Sequence, residues 1–357
     1  MRTRTIVALV AFLAIFVSSC KKNEGADLFK TLTQSNGDLA ATSPKNAFQE
    51  LKVAYVQSLS IPSQFLIEGT TIDMATFNCM SNSPTGVTIK SLIVALPANT
   101  STSVSLTVDG TMISAANVTG NTAQFYGLNI VVPAGNPGVN IITGVTLNCI
   151  GPQQSECTGV SNSDVNITIT SITFTNNSSG ITKTTWSGAM SVNNKLVCTK
   201  PIVNMTASNE PGFVSGNIQI GMFTVSADCH GAIAISQIPV LIGIYGTATI
   251  VPETVELRSQ YNNTVVVGKN GTNGTGSLSG SGNFILTTPR IISDGMSETY
   301  TVWATFSGVT GGIGTQSESF SLGQKSCFLW TDMVSNTTEI NGTYILNWPT
   351  VSQVKTN

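Results

Sequence analysis

Charge is what this chain has least of. Of its 357 residues only 10 % are Asp, Glu, Lys or Arg, with 16 basic and 18 acidic side chains and a formal charge of −2. An ordinary soluble domain carries roughly 25 %. A balance this even, without grouped Lys and Arg, excludes a nucleic-acid partner. One histidine, His230, and sparse carboxylates leave little material for acid–base or metal chemistry. There is no Cys-x-x-Cys, Gly-x-Ser-x-Gly, His-Glu-x-x-His or phosphate loop. No metal and no cofactor is therefore expected. What fills the space is small and uncharged: 48 Thr, 39 Ser and 30 Asn, about a third of the chain, plus 33 Gly. With 41 % apolar residues the chain still builds cores and is not a disordered tail.

Met1-Arg2-Thr3-Arg4 is a short basic lead, followed by an apolar run from Ile6 to Val17. Twelve residues are too few to cross a hydrocarbon core, which needs about twenty, but they suit the apolar region of an export signal. The run ends in Val17-Ser18-Ser19-Cys20, which resembles the lipobox of bacterial lipoproteins. That resemblance implies a signal peptide over 1–19, cleavage before Cys20, and acylation of Cys20 as the sole membrane anchor. Removal of Arg2 and Arg4 leaves a formal charge of −4. An aspartate after the cysteine, the inner-membrane retention signal of some Gram-negative bacteria, is absent. The expected place is the bacterial cell envelope, at the outer membrane or cell surface.

With Cys20 assigned to lipid, six cysteines remain, and disulfides are expected in an oxidising compartment. Cys149 and Cys157 close a short loop and form the most secure pair.

Residues 20–59 read as a polar tether with one short helix. Ser43 can cap it, Pro44 suits its first turn, and Ala47, Phe48, Leu51, Ala54 and Tyr55 share a face. Beyond Ser60 the period is two, as in Val165-Asn-Ile167-Thr-Ile169 and Tyr300-Thr-Val302-Trp-Ala304, with turns such as Asp109-Gly110 and Asp294-Gly295 between. Short alternating strands predict an all-β chain of antiparallel sandwiches. An internal repeat divides it. Phe77 precedes Val87 by ten residues, as Phe223 precedes Ile233, and Val139-Asn-Ile141 parallels Thr299-Tyr-Thr301. Two tandem immunoglobulin-like sandwiches are expected, over 60–205 and 206–335, with a C-terminal tail over 336–357. The repeat suggests the pairings Cys79–Cys198 and Cys229–Cys327, although Cys229 lies six residues after Phe223 and Cys79 only two after Phe77.

Glu68 to Phe77, the alternating strand after it, and Leu128 to Gly135 together resemble immunoglobulin-like repeats of large bacterial surface and S-layer-like proteins. Phe328-Leu-Trp330-Thr331-Asp332 is similar to their trailing Trp-Ser-Asp motif, with Thr331 in place of the serine. The resemblance covers most of residues 60–350 and implies a surface module without catalytic residues.

Asp228-Cys229-His230 suggests a nucleophile on paper, but the reading from residues is a disulfide-bonded Cys229 beside an exposed His230. The Gly-rich stretch Asn270–Gly282 reads as a hairpin loop, and Asp109 and Asp294 as turn formers rather than calcium ligands. Trp303 stands in phase with Thr301 and Thr305 on a polar face. It either stacks on a sugar or protein partner or packs against the neighbouring domain. Trp186, Trp330 and Trp348 are expected in domain packing. The composition points to a lipid-anchored, non-enzymatic surface protein with an adhesive or structural role. Its partners are the membrane and either an envelope protein or a glycan. The alternatives are a glycan-binding or glycan-processing lipoprotein, or a subunit donating a strand to a fibre.

Overall fold

The computed structural model describes residues 50–150, 157–206, 212–251, 254–260, 265–267, 276–278, 282–310, 312, 314–335 and 339–357. The signal peptide, Cys20 and the tether to residue 49 lie outside them, as does most of Asn270–Gly282. The described chain is all-β and forms two packed-sheet sandwiches, with only three-residue 3-10 turns as helical elements.

In the first sandwich one sheet runs Leu51–Tyr55, Thr71–Ser81, Gly135–Leu147, Ser101–Val108, Thr111–Asn117 in spatial order. The facing sheet runs Thr182–Met190, Thr168–Asn176, Val87–Ala95, with Thr122–Phe125 and Ile130–Val132 both pairing to Val87–Ala95. The second sandwich repeats the plan. Pro201–Met205, Gly216–Ala227 and Ser297–Ser307 are neighbours in one sheet, and Asn283–Ile292, Ile233–Tyr245 and Ser317–Leu322 in the other. The sequence repeat therefore has a structural counterpart. Phe77 lies in register with Ile141 and Phe223 with Tyr300, and both phenylalanines are fully buried. The equivalent of Ile141 is thus Tyr300, one residue from its place in the sequence alignment. Asp109 and Gly110 both have positive φ, 50° and 74°, and close the hairpin between Ser101–Val108 and Thr111–Asn117.

The helix expected over 43–55 is not formed in its described part. Leu51–Tyr55 is a strand, paired antiparallel with Thr71–Ser81 from Leu51↔Ser81 to Tyr55↔Phe77. A helix that short is marginal on its own, whereas the open edge of Thr71–Ser81 supplies a full ladder. The segment expected as a tail also belongs to the body. Ile340–Asn341 pairs with Leu329–Asp332, and Gln353–Thr356 pairs with Ser317–Leu322.

Between the sandwiches lies a third, small sheet: Asp164–Val165, Asn194–Val197 and Phe65–Ile67. The last two strands run parallel, with Leu196 opposite Leu66. Side chains alternate across a strand, and here both faces are covered. Phe65, Ile67 and Val197 join the core of the second sandwich, while Leu66, Val165, Leu196 and Cys198 join that of the first. Trp330 meets Phe65 edge-on at 5.4 Å. Two residues on, Asp332 is fully buried; its Oδ2 accepts from Cys198 N at 2.9 Å and Ser161 Oγ at 3.4 Å, and its Oδ1 from Val334 N at 3.0 Å. The Trp-x-Asp segment thus clamps the central sheet.

Only one of the three expected disulfides is made among the described residues. Cys149 and Cys157 are bonded, with Cα atoms 4.9 Å apart. Cys79 and Cys198 are free and buried. The expectation failed because Asn194–Val197 runs in the central sheet instead of closing the first sandwich, so the Cys198 thiol faces Glu68 and Asp332. Cys229 is a free thiol in an exposed turn and is therefore not joined to Cys327, which lies in the turn Lys325–Cys327 and is not a free thiol.

Hydroxyl pairs explain the threonine content. Neighbouring strands meet side by side at Thr71/Thr146, Thr173/Thr184, Thr175/Thr182 and Thr224/Thr299, with Oγ1 atoms 2.8–3.0 Å apart. Such cross-strand pairs each contribute about 0.2–1 kcal/mol and need no charge.

Among the described residues Tyr55, Gln316, Glu318 and Trp330 each bury a polar side-chain atom without a hydrogen-bond partner, and Glu318 is the carboxylate among them. It is 1 % exposed, neither carboxylate oxygen has a hydrogen-bond partner, and it lies in register with Lys355. Burial pushes its pKa up to about 8, with Lys355 opposing the rise.

Two outcomes are expected. Phe65→Ala removes a side chain from the central sheet and costs about 3–5 kcal/mol; both sandwiches should then melt earlier in one shared transition, followed by tryptophan fluorescence and far-ultraviolet circular dichroism. Glu318 is neutral in the fold and ionised in the unfolded chain between about pH 4.5 and 8. Its contribution to stability is thus full below pH 4.5 and lost as pH rises through 8. Glu318→Gln should flatten the fall in Tm over that window and raise Tm at pH 8 by roughly 5 °C.

Candidate functional site

The strand Ser297–Ser307 carries Trp303 on the outer face of its sheet, in register with Gln219 on one side and Glu256 on the other. The ring is half-buried, and the Arg258 guanidinium lies 4.6 Å from its centre. Arg258 is itself held by Glu256, with Nε and Nη2 donating to Oε2 at 2.9 and 2.6 Å. The indole N–H donates to Thr301 Oγ1 at 3.1 Å. Cation–π contact of this kind is worth about 0.5–2 kcal/mol. It covers one ring face that a sugar would use, and that cover comes from the same sheet and not from the neighbouring domain.

Asp228-Cys229-His230 forms a turn. Asp228 Oδ1 accepts from His230 N at 3.0 Å, lies 3.1 Å from His230 Nδ1, and accepts from Thr199 Oγ1 at 3.3 Å. These bonds shape the turn, and both Cys229 and His230 face solvent. Among the described residues no group of three His, Cys, Asp or Glu is placed to hold a metal ion.

A groove of about 680 Å³ borders the second sandwich, lined by Ser259, Arg290, Glu298 and Thr299 among others. Its carboxylate is spoken for. Arg290 Nε donates to both Glu298 oxygens at 3.0 and 2.8 Å, and Tyr300 Oη donates to Oε2 at 2.9 Å. That ion pair holds the guanidinium pKa up, and burial does the same to the Tyr300 phenol. Among the described residues Glu298 is the one carboxylate that lines the groove, whereas glycoside hydrolysis ordinarily uses a pair.

The other tryptophans divide unequally. Trp330 is fully buried, and Trp348 packs on Phe328 and donates to Gly323 O at 3.0 Å. Trp186, expected in domain packing, is instead 76 % exposed. It lies on the edge strand Thr182–Met190, opposite Ser171, where a register shift and Gly188 at φ 72° interrupt the ladder. Bulges of this kind re-aim side chains. Inward residues on these strands are Ile172, Phe174, Leu92, Ile89 and Phe125. Their neighbours along each strand therefore form the outer face. One row reads Trp186, Ser171, Ile93, Gln124, the next Thr184, Thr173, Ser91, and a third Thr182, Thr175, Thr88, Val131. Tyr126, 69 % exposed, stands at the far margin and donates to Gln124 Oε1. The signal for Trp186 was present in the sequence, since it is in phase with Thr182 and Thr184 as Trp303 is with Thr301 and Thr305.

No family model matches the chain, and no curated protein does. Solved structures overlap it loosely. The major pilin subunit of Bacillus cereus is 9 % identical with a TM-score of 0.25; the match covers 82 % of this chain, which spans only 63 % of that pilin's length. The C-terminal domain of the Streptococcus agalactiae AgI/II polypeptide BspA is 10 % identical with a TM-score of 0.22, covering 86 % of this chain and 99 % of that one. The fibronectin(III)-like modules of Clostridium thermocellum CbhA are 12 % identical with a TM-score of 0.17, over 81 % and 90 %. Overlap at this level carries no argument about function.

Thiol chemistry tests the cysteine assignment. In the native protein Cys229 should react rapidly with a thiol reagent and Cys229→Ser should abolish that phase. Cys79, whose pKa burial pushes up to about 12, and Cys198 should react only on unfolding. A native preparation in which Cys79 and Cys198 are found joined by peptide mapping would contradict the fold described.

Proposed function

We propose that the chain is a lipid-anchored protein of the bacterial cell envelope, displayed at the surface, with an adhesive or structural and non-catalytic role. The observation that carries this reading is Val17-Ser18-Ser19-Cys20 placed directly after a twelve-residue apolar run. Among the described residues no helix is long and apolar enough to cross a membrane, so acylated Cys20 is the anchor in this reading, and the tether from Lys21 holds the body away from the bilayer.

The body itself supports such a role. Its two sandwiches share a sheet, and an outer face of the first presents paired threonine hydroxyls, which favours passive contact over turnover. Partners in this reading are the membrane and an envelope protein or glycan.

Intact-mass analysis of protein from native membranes should find the chain beginning at Cys20 with a diacylglycerol and an acyl group. Cys20→Ser should move the protein to the soluble fraction. An unmodified Cys20, or a Cys20→Ser protein that stays membrane-bound, overturns the proposal.

A further inference from the structure

We infer that the outer face of the Thr182–Met190, Thr168–Asn176, Val87–Ala95, Thr122–Phe125 sheet is a binding platform for a neutral polysaccharide, with Trp186 and Tyr126 as its stacking rings. The inference rests on the adhesive reading above and names its ligand class.

The face is closed to the core, with Ile172, Phe174, Leu92 and Ile89 buried beneath it. Trp186 marks one margin and Tyr126 the other, 76 % and 69 % exposed. Three strand spacings separate them, about 14 Å at the usual ~4.8 Å between strands. That gap is longer than one sugar ring and suits a chain of several. The bed between is hydroxyl-rich. Thr173 and Thr184 have Oγ1 atoms 3.0 Å apart, as do Thr175 and Thr182. Each pair uses one donor internally and keeps lone pairs and a second hydroxyl hydrogen for a ligand. A saccharide matches both features, with apolar C–H faces for the rings and hydroxyls for the threonines.

Charge selects within that class. Among the described residues the charged side chain on the face is Lys90, whose Nζ donates to Asn129 Oδ1 at 3.0 Å, while Lys183 at the edge is paired with Glu50 Oε1 at 2.6 Å. A uronic-acid or sulfated chain would find no cluster of cations here. Size disfavours a second copy of this protein. The face, three strand spacings wide and nine residues long, measures about 14 by 27 Å, on the order of 400 Å² in plane from strand spacing and rise, against about 800 Å² per partner in a stable interface. A polysaccharide needs no such area, because it binds through a few stacked rings.

The test uses the mature, detergent-solubilised protein and calorimetric titration with hexasaccharides of β-1,4-linked glucose, mannose and N-acetylglucosamine, with an oligouronate as the charged comparator. At least one neutral probe should bind saturably and more tightly than the oligouronate. Trp186→Ala should weaken it tenfold or more and Trp186→Phe should restore part of the loss. Tyr126→Ala should weaken it several-fold, and Trp303→Phe should leave it unchanged. Because both rings are exposed, Tm should not move in these variants. Binding of no neutral probe overturns the inference, as does binding that survives Trp186→Ala. A protein that sediments as a dimer and becomes monomeric in Trp186→Ala would make the face a self-interface and overturn it too. Failure here with Cys20 acylated removes only the ligand class. Binding by a protein that is not acylated removes only the anchor.

Discussion

The body depends on two short strands being buried on both faces. Phe65–Ile67 and Asn194–Val197 are too short to form a stable sheet alone, and they are held because each successive side chain enters a different core. Leu66 and Leu196 lie in the first sandwich, and Phe65, Ile67 and Val197 in the second. Continuous apolar strands between two covered layers are typical of fully buried parallel pairs. The consequence is mechanical. A tandem of sandwiches joined by a linker would hinge, whereas here neither core is complete without residues that also belong to the other's boundary.

Burying a junction this way strands polar groups, and the chain handles two carboxylates differently. Asp332 sits at the weld and accepts from Cys198 N, Val334 N and Ser161 Oγ. Backbone donors that would otherwise be orphaned are satisfied by its oxygens, and its oxygens by them. Glu318 lies in the second sandwich with no donor to either oxygen. Its cheapest state is the neutral acid, so burial acts on its protonation instead of on its contacts. Lys355, its register neighbour, donates to Gln219 O at 2.6 Å and so links the C-terminal strand to the facing sheet.

Much of the architecture was legible before any coordinates. Val165, Ile167 and Ile169 alternate and are fully buried, Asp109-Gly110 closes its hairpin, and the Phe77/Phe223 repeat marks equivalent strands. What escaped has physical causes. Leu51–Tyr55 satisfies a helical face and a strand face equally, and only the unpaired edge of Thr71–Ser81 decides between them. Phe65-Leu66-Ile67 carries no period at all, because residues buried on both sides leave none to read. Cysteine pairing needed the path of Asn194–Val197, which local pattern does not encode. The two phased tryptophans were indistinguishable in one dimension. Which is covered depends on Arg258 beside Trp303 and on the ladder shift at Ser171 opposite Trp186.

That last contrast bears on how a charge-poor surface can be selective. Coulombic steering is closed to a face with one lysine, so discrimination has to come from shape and hydrogen-bond pattern. Threonine suits this. Its β-branched side chain fixes χ1, so hydroxyls on neighbouring strands are held in register, as at Thr173/Thr184 and Thr175/Thr182. A lysine or glutamate in those places would be mobile and would carry its own hydration. Ordering a grid of hydroxyls in advance, between two exposed rings, lowers the entropy that a ligand must overcome. The same choice of residue that lets the sheets stay wet without charge thereby makes one of them a surface with a defined chemical pattern.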